Sequence, residues 1–167
     1  MALAFIGLGS NLAHPRRRIA RALGDLARLP GTRLVAVSPS YLSAPVGSTI
    51  AQPDYVNAVA LVATRLRPRA LLARLASVER RHGRRRTDAV RNAPRRLDLD
   101  LLLFGRLRMA TRDLVLPHPR MHERSFVLVP LVDLAPGARI PGRGVASLLR
   151  RRVTGQRIAR TRSHPRR

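Results

Sequence analysis

The sequence predicts an α+β domain of the ferredoxin-like class, in which a βαββαβ core forms an antiparallel sheet with helices packed on one face. Three observations support this prediction. Apolar segments of strand length alternate with two segments of helical periodicity, in the order strand, helix, strand, strand, helix, strand. Proline and glycine separate these segments. Apolar residues make up 45% of the 167-residue chain, which is enough for one core.

The first three elements come from the first quarter of the chain. Residues 4–11 are expected to form a buried strand that ends in a glycine-rich turn. A helix should follow, because Pro15 suits a first helical turn. One face of this helix carries aliphatic residues: Ile19, Leu23 and Leu26. Residues 34–42 are strand-like, with Pro39 marking an edge or a bulge.

The second half of the core has the same pattern. Residues 55–66 are rich in valine and alanine and predict a strand. Pro68 opens a helix that ends at Gly83, a residue typical of a helix C-terminus. Its predicted buried face carries Leu71, Leu75 and Val78. A basic loop over 84–94 then leads to a strand over 97–104.

The rest of the chain predicts one more helix and a tail. Residues 123–134 are apolar and helical in pattern. Residues 1–149 are therefore interpreted as one domain, and 150–167 as a basic, partly disordered tail that contacts RNA or acidic partners nonspecifically. Removing this tail is expected to change solubility or RNA retention more than turnover.

Composition limits the classes of protein. The net charge of +24 suggests nucleic-acid binding, but all 33 basic residues are arginine, as codon bias in a GC-rich genome produces, and most are spread along the chain without stacking aromatics. An anionic partner stays open, and a polyphosphate nucleotide satisfies it as well as DNA does. No cysteine, long apolar stretch or basic leader is present, so we expect a cytoplasmic protein without membrane contact.

Asp98 and Asp100 form the strongest chemical pattern. Side chains two residues apart on a strand share a face, which places these carboxylates about 6.5 Å apart. In so apolar a segment they need compensating cations or a metal. Hard oxygen ligands at this spacing suit Mg²⁺ together with phosphate and water. The alternative is that both carboxylates only pair with local arginines.

Basic and aromatic residues around this pair are weaker candidates. Arg84 and Arg95 flank the basic loop and have guanidinium groups that match phosphate, although most arginines in such a chain are solvated. His118 lies between two prolines and either faces a ligand or caps a turn. Tyr55 and Asn57 share a strand face; their amide and ring either read a heterocycle or hold a neighbouring loop.

Six motifs occur in order along the chain. They are Gly7-Leu8-Gly9-Ser10-Asn11-Leu12, Gln52-Pro53-Asp54-Tyr55-Val56-Asn57, Ala93-Pro94-Arg95-Arg96-Leu97-Asp98-Leu99-Asp100, Pro117-His118-Pro119-Arg120-Met121, Arg124 with Phe126, and Val129-Pro130-Leu131. Together, over residues 3–141, they resemble in order and spacing one family, 6-hydroxymethyl-7,8-dihydropterin pyrophosphokinase.

The resemblance implies transfer of pyrophosphate from ATP to the hydroxymethyl group of the pterin in folate biosynthesis, with AMP as the leaving group. It also implies the ferredoxin-like fold and two magnesium ions held by Asp98 and Asp100. The implied catalytic residues are Arg84, Arg95, Asp98 and Asp100. The implied ATP-binding residues are Glu79, Arg84, Arg95, His118 and Arg124. The implied pterin-binding residues are Ser43, Val46, Tyr55, Asn57 and Phe126.

Two departures and two alternatives accompany this interpretation. Some family members carry Trp where this chain has Asn92, and Tyr where it has Pro119. The alternatives are a nucleic-acid-binding module, which requires exposed sheet aromatics where only Phe5 is a candidate, and a non-catalytic homologue. We expect a monomer with ATP and the pterin as its partners and no specific nucleic acid.

Overall fold

The computed structural model describes residues 1–84 and 93–161. Within them a six-stranded antiparallel sheet has the strand order β10-β3-β4-β1-β5, with β2 also paired to β4. The strands are β1 (Ala2–Ser10), β2 (Thr32–Val37), β3 (Tyr41–Ser43), β4 (Tyr55–Thr64), β5 (Asp98–Phe104), β6 (Met109–Ala110), β7 (Val115–Leu116), β8 (Arg139–Ile140), β9 (Gly144–Val145) and β10 (Ile158–Arg160). The helices are α1 (Pro15–Ala27), α2 (Pro68–Arg81), α3 (Ser125–Leu134) and α4 (Ala146–Arg152).

The predicted fold class is confirmed. Alternate residues of β1, among them Ile6 and Leu8, pack with α1 and α2 in one core on one face of the sheet. Phe5, Val59 and Leu102 belong to a second core with α3 and α4 on the opposite face. The prediction of helices on one face therefore holds for the βαββαβ core, and α3 and α4, which follow that core, cover the other side.

The predicted strand over 34–42 is two strands. β2 pairs with the distal half of β4 and β3 with its beginning. Between them Ser38 donates its N–H to Val59 O at 2.9 Å, and its hydroxyl accepts the Val59 N–H at 2.9 Å. Pro39 follows and has no N–H to continue the ladder, which explains the break that this proline marks.

The glycine-rich motif lies within a strand and not in a turn. β1 runs through Gly7 and Gly9 to Ser10, one residue short of the predicted end. The turn comes afterwards, where Ala13 and His14 adopt positive φ angles of 49° and 62°. The sequence prediction was wrong here because glycine is more often a strand breaker than a strand residue.

The C-terminal region contains regular structure across the predicted tail boundary. α4 spans that boundary, and β10 adds an edge strand beside β3. Residues 162–167 of the expected tail and Asn92 of the basic loop lie outside the described residues. Among the described residues, no helix is both long and apolar enough to cross a membrane.

Leu75 provides a test of the first core. Its side chain is fully buried on α2, so Leu75→Ala should lower the free energy of unfolding by about 3 kcal/mol through lost burial and the cavity left behind. Leu148→Ala is the control, because Leu148 is 53% exposed and should change stability little. Urea unfolding of both variants measures the difference, and equal losses would contradict this account of the core.

Candidate active site

A pocket opens on the α3 side of the sheet, where β1, β4 and β5 lie side by side. Ten of the twelve residues predicted for the site line it, and these are Ser43, Val46, Tyr55, Asn57, Arg95, Asp98, Asp100, His118, Arg124 and Phe126. The other two lie outside the lining: Arg84 contacts Asp98, and Glu79 contacts Arg84 and the backbone N–H of Leu99. The structure therefore gathers residues from across the sequence in one cleft.

Two glycines form the floor of this pocket. In the strand register Gly9 lies opposite both Asp98 and Asn57, and Gly7 lies opposite Asp100. A Cβ atom at Gly9 would lie 3.4 Å from Asn57 Oδ1 and 4.0 Å from Asp98 Cβ. The absence of a side chain keeps open the space between the carboxylates and the amide. Sequence reasoning missed this role because it assigned both glycines to a turn.

Asp98 is held by arginines. Arg95 Nη1 lies 2.5 Å from its Oδ1, and Arg84 Nη1 lies 3.5 Å from the same atom. The alternative stated for the carboxylates, pairing with local arginines, thus applies to Asp98. The pairing and a ligand role are compatible, since Asp98 lines the pocket and keeps 27% of its side chain exposed.

Among the described residues, the basic side chains nearest to Asp100 are too distant for a hydrogen bond. His118 Nε2 and Arg124 Nη1 each lie 3.9 Å from its Oδ2, beyond hydrogen-bond distance. Burial and the nearby charge of Asp98 raise the pKa of Asp100 to about 7. An added cation would therefore stabilise the ionised form of this carboxylate more than that of any other group in the pocket.

Glu79 stabilises the strand from behind the pocket. Its side chain is buried, accepts the Leu99 N–H at 2.8 Å and contacts Arg84. Burial raises its pKa, while the Leu99 N–H and Arg84 oppose the shift. This geometry orients Arg84 and the backbone between the two aspartates and places Glu79 away from the pocket surface.

His118 is a neutral imidazole. Burial and the charge of Arg124 lower its pKa to about 4. Its Nδ1 accepts the Arg120 N–H at 3.3 Å, which assigns the ring proton to Nε2 by hydrogen-bond logic. The ring thus caps a turn, which is one of the two roles considered for this residue, and it also has an N–H donor beside Asp100. Contact with a ligand stays a prediction.

Aromatic and amide groups form the other half of the pocket. Asn57 donates from Nδ2 to Ser43 Oγ at 2.9 Å, so its Oδ1 is oriented towards Gly9. Phe126 lies under the Arg124 guanidinium, 5.4 Å from ring centroid to Cζ. Tyr55 donates to Ala93 O at 3.1 Å, and burial together with the Asp98 charge raises its pKa.

Asn11 is a site-organising residue without a predicted role. Buried at 4% exposure, it donates from Nδ2 to Gln52 Oε1 at 2.9 Å and to Pro53 O at 3.0 Å. Its Oδ1 accepts the Arg95 N–H at 2.8 Å. It therefore joins the loop before Tyr55 to the residue that holds Asp98. A polar residue directly after a buried strand was the available signal.

The donor set fits magnesium. Asp98 and Asp100 line one pocket, and the burial that raises the pKa of Asp100 makes a second negative charge costly without a cation. Mg²⁺ in proteins commonly takes one or two carboxylates and completes its shell with phosphate and water. No group of three or more His, Cys, Asp or Glu side chains that suits a metal occurs among the described residues.

Because the pKa of Asp100 is raised, we expect the stability of the folded protein to depend on pH. Its folded-state pKa of about 7 lies above the ordinary 3.8, so its stabilising proton is fully bound at low pH and lost as the pH rises through about 7. The melting temperature of Asp100→Asn minus that of the parent should therefore increase between about pH 4 and pH 7 in EDTA and change little above pH 7. Asp113→Asn, at an exposed turn, is the control. A difference independent of pH would contradict the assignment.

The glycine at the pocket floor leads to a second prediction, which concerns ligand binding. Gly9→Val should fill the space beside Asn57 and Asp98 while remaining compatible with a strand. We expect at least about tenfold weaker ligand binding, since the added atoms occupy ligand space, with a small change in melting temperature. Equilibrium titration with the pterin measures this, and unchanged affinity would show that the ligand lies elsewhere.

Comparison with known proteins finds relatives that carry the same enzyme name. A family profile described as 7,8-dihydro-6-hydroxymethylpterin-pyrophosphokinase (HPPK) matches residues 5–136. A protein from Pseudomonas aeruginosa named 2-amino-4-hydroxy-6-hydroxymethyldihydropteridine pyrophosphokinase is 50% identical over 87% of this chain and 88% of its own. One of the same name from Haemophilus influenzae is 43% identical over 84% and 86%, respectively.

Solved structures agree on the fold. The chain superposes on Plasmodium falciparum HPPK-DHPS wild type with pterin and p-hydroxybenzoate with a TM-score of 0.70 and 13% identity. The match covers 90% of this chain and 41% of that longer one, less than half its length. At this identity the likeness concerns the fold alone. The profile spans most of the chain and the sequence relatives match nearly end to end, so the chain belongs to the 7,8-dihydro-6-hydroxymethylpterin-pyrophosphokinase family.

Proposed function

We propose that this protein transfers the terminal pyrophosphate of ATP to the hydroxymethyl group of 6-hydroxymethyl-7,8-dihydropterin, in a reaction that depends on Mg²⁺. The observation that carries the proposal is the arrangement around Gly9. A pair of carboxylates, Asp98 and Asp100, lines one side of the pocket, and an amide beside aromatic rings lines the other. The carboxylates that would act on the phosphates and the pocket for the heterocycle thus lie on opposite sides of Gly9.

The reaction is a substitution at the β-phosphorus of ATP. The hydroxymethyl oxygen forms the new bond to this phosphorus, and the bond to the oxygen that bridges the α- and β-phosphates breaks. AMP leaves with that bridging oxygen, and the hydroxyl proton is released. Such transfers depend on positioning and charge neutralisation more than on covalent chemistry by the protein.

The cationic side chains supply part of that neutralisation. Arg95 and Arg124 line the pocket on either side of the carboxylates, and Arg84 lies behind Asp98. Guanidinium groups form charge-assisted hydrogen bonds to phosphate oxygens. The neutral His118 ring adds an Nε2–H donor beside Asp100, and this donor brings no further charge.

The pterin is positioned by the opposite half of the pocket. Asn57 Oδ1 is an acceptor for the N–H groups of the heterocycle, because Nδ2 is already engaged by Ser43. Phe126 and Tyr55 present ring surfaces to a flat ligand. Val46 adds an apolar contact at the rim. These contacts direct the hydroxymethyl group towards the carboxylates.

Asp98 and Asp100 would hold two Mg²⁺ ions together with the ATP phosphates. When bound, magnesium offsets negative charge on the phosphates and orients the reacting oxygens. A monomeric state, a cytoplasmic location and the absence of a specific nucleic-acid partner remain predictions from the sequence.

A product assay tests the function directly. Purified protein with ATP, Mg²⁺ and the pterin should form AMP only when all three are present, and nucleotide separation measures it. ADP in place of AMP would indicate an ordinary kinase. No nucleotide turnover by folded protein would contradict the proposal and favour a non-catalytic homologue.

Substitution of the carboxylates tests the metal assignment. Asp98→Asn and Asp100→Asn should each lower kcat by about 100-fold or more, because magnesium and its charge neutralisation are lost from the phosphates. Asp113→Asn, on an exposed turn outside the pocket, is the control and should keep parental turnover. Near-normal turnover of either pocket variant would remove these residues from the metal site.

A further inference from the structure

The C-terminal segment, residues 156–161, lies against two walls of the pocket that are distant in sequence. The α3 wall consists of Arg124 and Phe126 at the start of α3. The loop wall consists of residues 43–46 together with Tyr55. Both walls line the pocket. The contacts of this segment with them are side-chain and backbone hydrogen bonds.

Gln156 holds the α3 wall. Its Oε1 accepts the Ser125 N–H at 2.8 Å, and its Nε2 donates to Glu123 O at 2.7 Å. Ser125 is the first residue of α3, where N–H groups lack partners within the helix, and the cap residue Arg124 supplies no side-chain hydrogen bond. A side chain distant in sequence thus caps the helix that presents Arg124 and Phe126.

Arg157 and the strand after it hold the loop wall. The Arg157 guanidinium forms a bidentate pair with Asp54, at 2.8 and 2.7 Å, directly before Tyr55. Its carbonyl accepts the Ala44 N–H at 3.2 Å, and β10 then pairs with β3 up to Ser43. Ser43 in turn accepts the hydrogen bond that orients the Asn57 amide.

We propose that Gln156 and Arg157 are positioning residues, which fix the α3 wall and the loop wall at the separation that the pterin requires. Neither residue lines the pocket, so each acts through residues that do. This inference rests on the proposed function for its ligand. It also gives the residues after 150 a role in pterin binding, beyond the expected effects on solubility and RNA retention.

If these residues only position the pocket walls, their substitution should raise KM for the pterin and leave kcat nearly unchanged. The segment contacts elements that carry pterin-side residues, and within the described part of the chain it forms no hydrogen bond or ion pair with Asp98 or Asp100. Gln156→Ala should therefore raise KM for the pterin about fivefold to tenfold and leave kcat at saturating pterin within about twofold. Gln156→Asn, whose amide is too short to bridge both partners, should behave like the alanine variant. Thr154→Ala, in the exposed turn before the segment, should match the parent.

Charge reversal tests the second contact. Arg157→Glu places a carboxylate against Asp54 and should raise KM for the pterin about threefold, since exposed ion pairs are individually weak. Arg152→Glu is the matched control on the exposed end of α4, with the same change of charge. Equal effects of the two variants would overturn the role of Arg157.

Amide hydrogen exchange on the full ligand-free chain separates this proposal from the proposed function. Gln156→Ala should speed exchange in peptides covering 123–128, and Thr154→Ala should not. Unchanged exchange would overturn the proposal whether or not the protein is an enzyme, and so would a fall in kcat without a change in KM. If the parent protein makes no AMP, the proposed function is wrong. The exchange measurement alone then decides whether Gln156 stabilises the α3 wall. If the alanine variant does not fold, Gln156→Glu keeps the acceptor for Ser125 and should give an intermediate KM.

Discussion

Two carboxylates on one strand face are the constraint on which this site depends. Asp98 and Asp100 line the same pocket, and burial together with the charge of Asp98 raises the cost of ionising Asp100. Arg95 and Arg84 neutralise the first, whereas the second has the Arg124 guanidinium and the neutral His118 ring, each at 3.9 Å. The pocket therefore holds an incompletely compensated negative charge beside several phosphate-matching groups. Such a site favours a cation that arrives together with an anionic ligand, which is the form in which magnesium nucleotides bind.

The fold provides this arrangement through small side chains in the centre of the sheet. β1 lies between β4 and β5, so Gly9 is flanked by Asn57 on one side and Asp98 on the other. Any larger residue would occupy the space where we propose that the two substrates meet. Stability and function are divided between the faces of the same strand, since Ile6 and Leu8 are buried in the core behind it. The second face is covered by α3 only in part, which leaves the pocket open where the glycines lie.

Much of this could be predicted from the sequence because the signals are local. The period of apolar residues predicts the βαββαβ order, and the spacing of Asp98 and Asp100 predicts their shared face. The elements that were missed depend on partners distant along the chain. Gln156 caps α3 from 31 residues away, and Asn11 joins Arg95 to Gln52 across 84 and 41 residues. An arginine-rich C-terminal region has the composition of a tail, and tertiary contacts such as the pairing of β10 with β3 distinguish it from one.

The central claim is that nucleotide binding requires the metal that Asp98 and Asp100 hold. Calorimetric titration with an ATP analogue, in which a methylene group replaces the oxygen between the α- and β-phosphates, tests it without turnover. The account predicts an affinity at least about tenfold higher in Mg²⁺ than in EDTA for the parent, and a much smaller effect of Mg²⁺ for Asp100→Asn. Equal affinity in Mg²⁺ and in EDTA for the parent would contradict it, because the arginines alone would then account for phosphate binding.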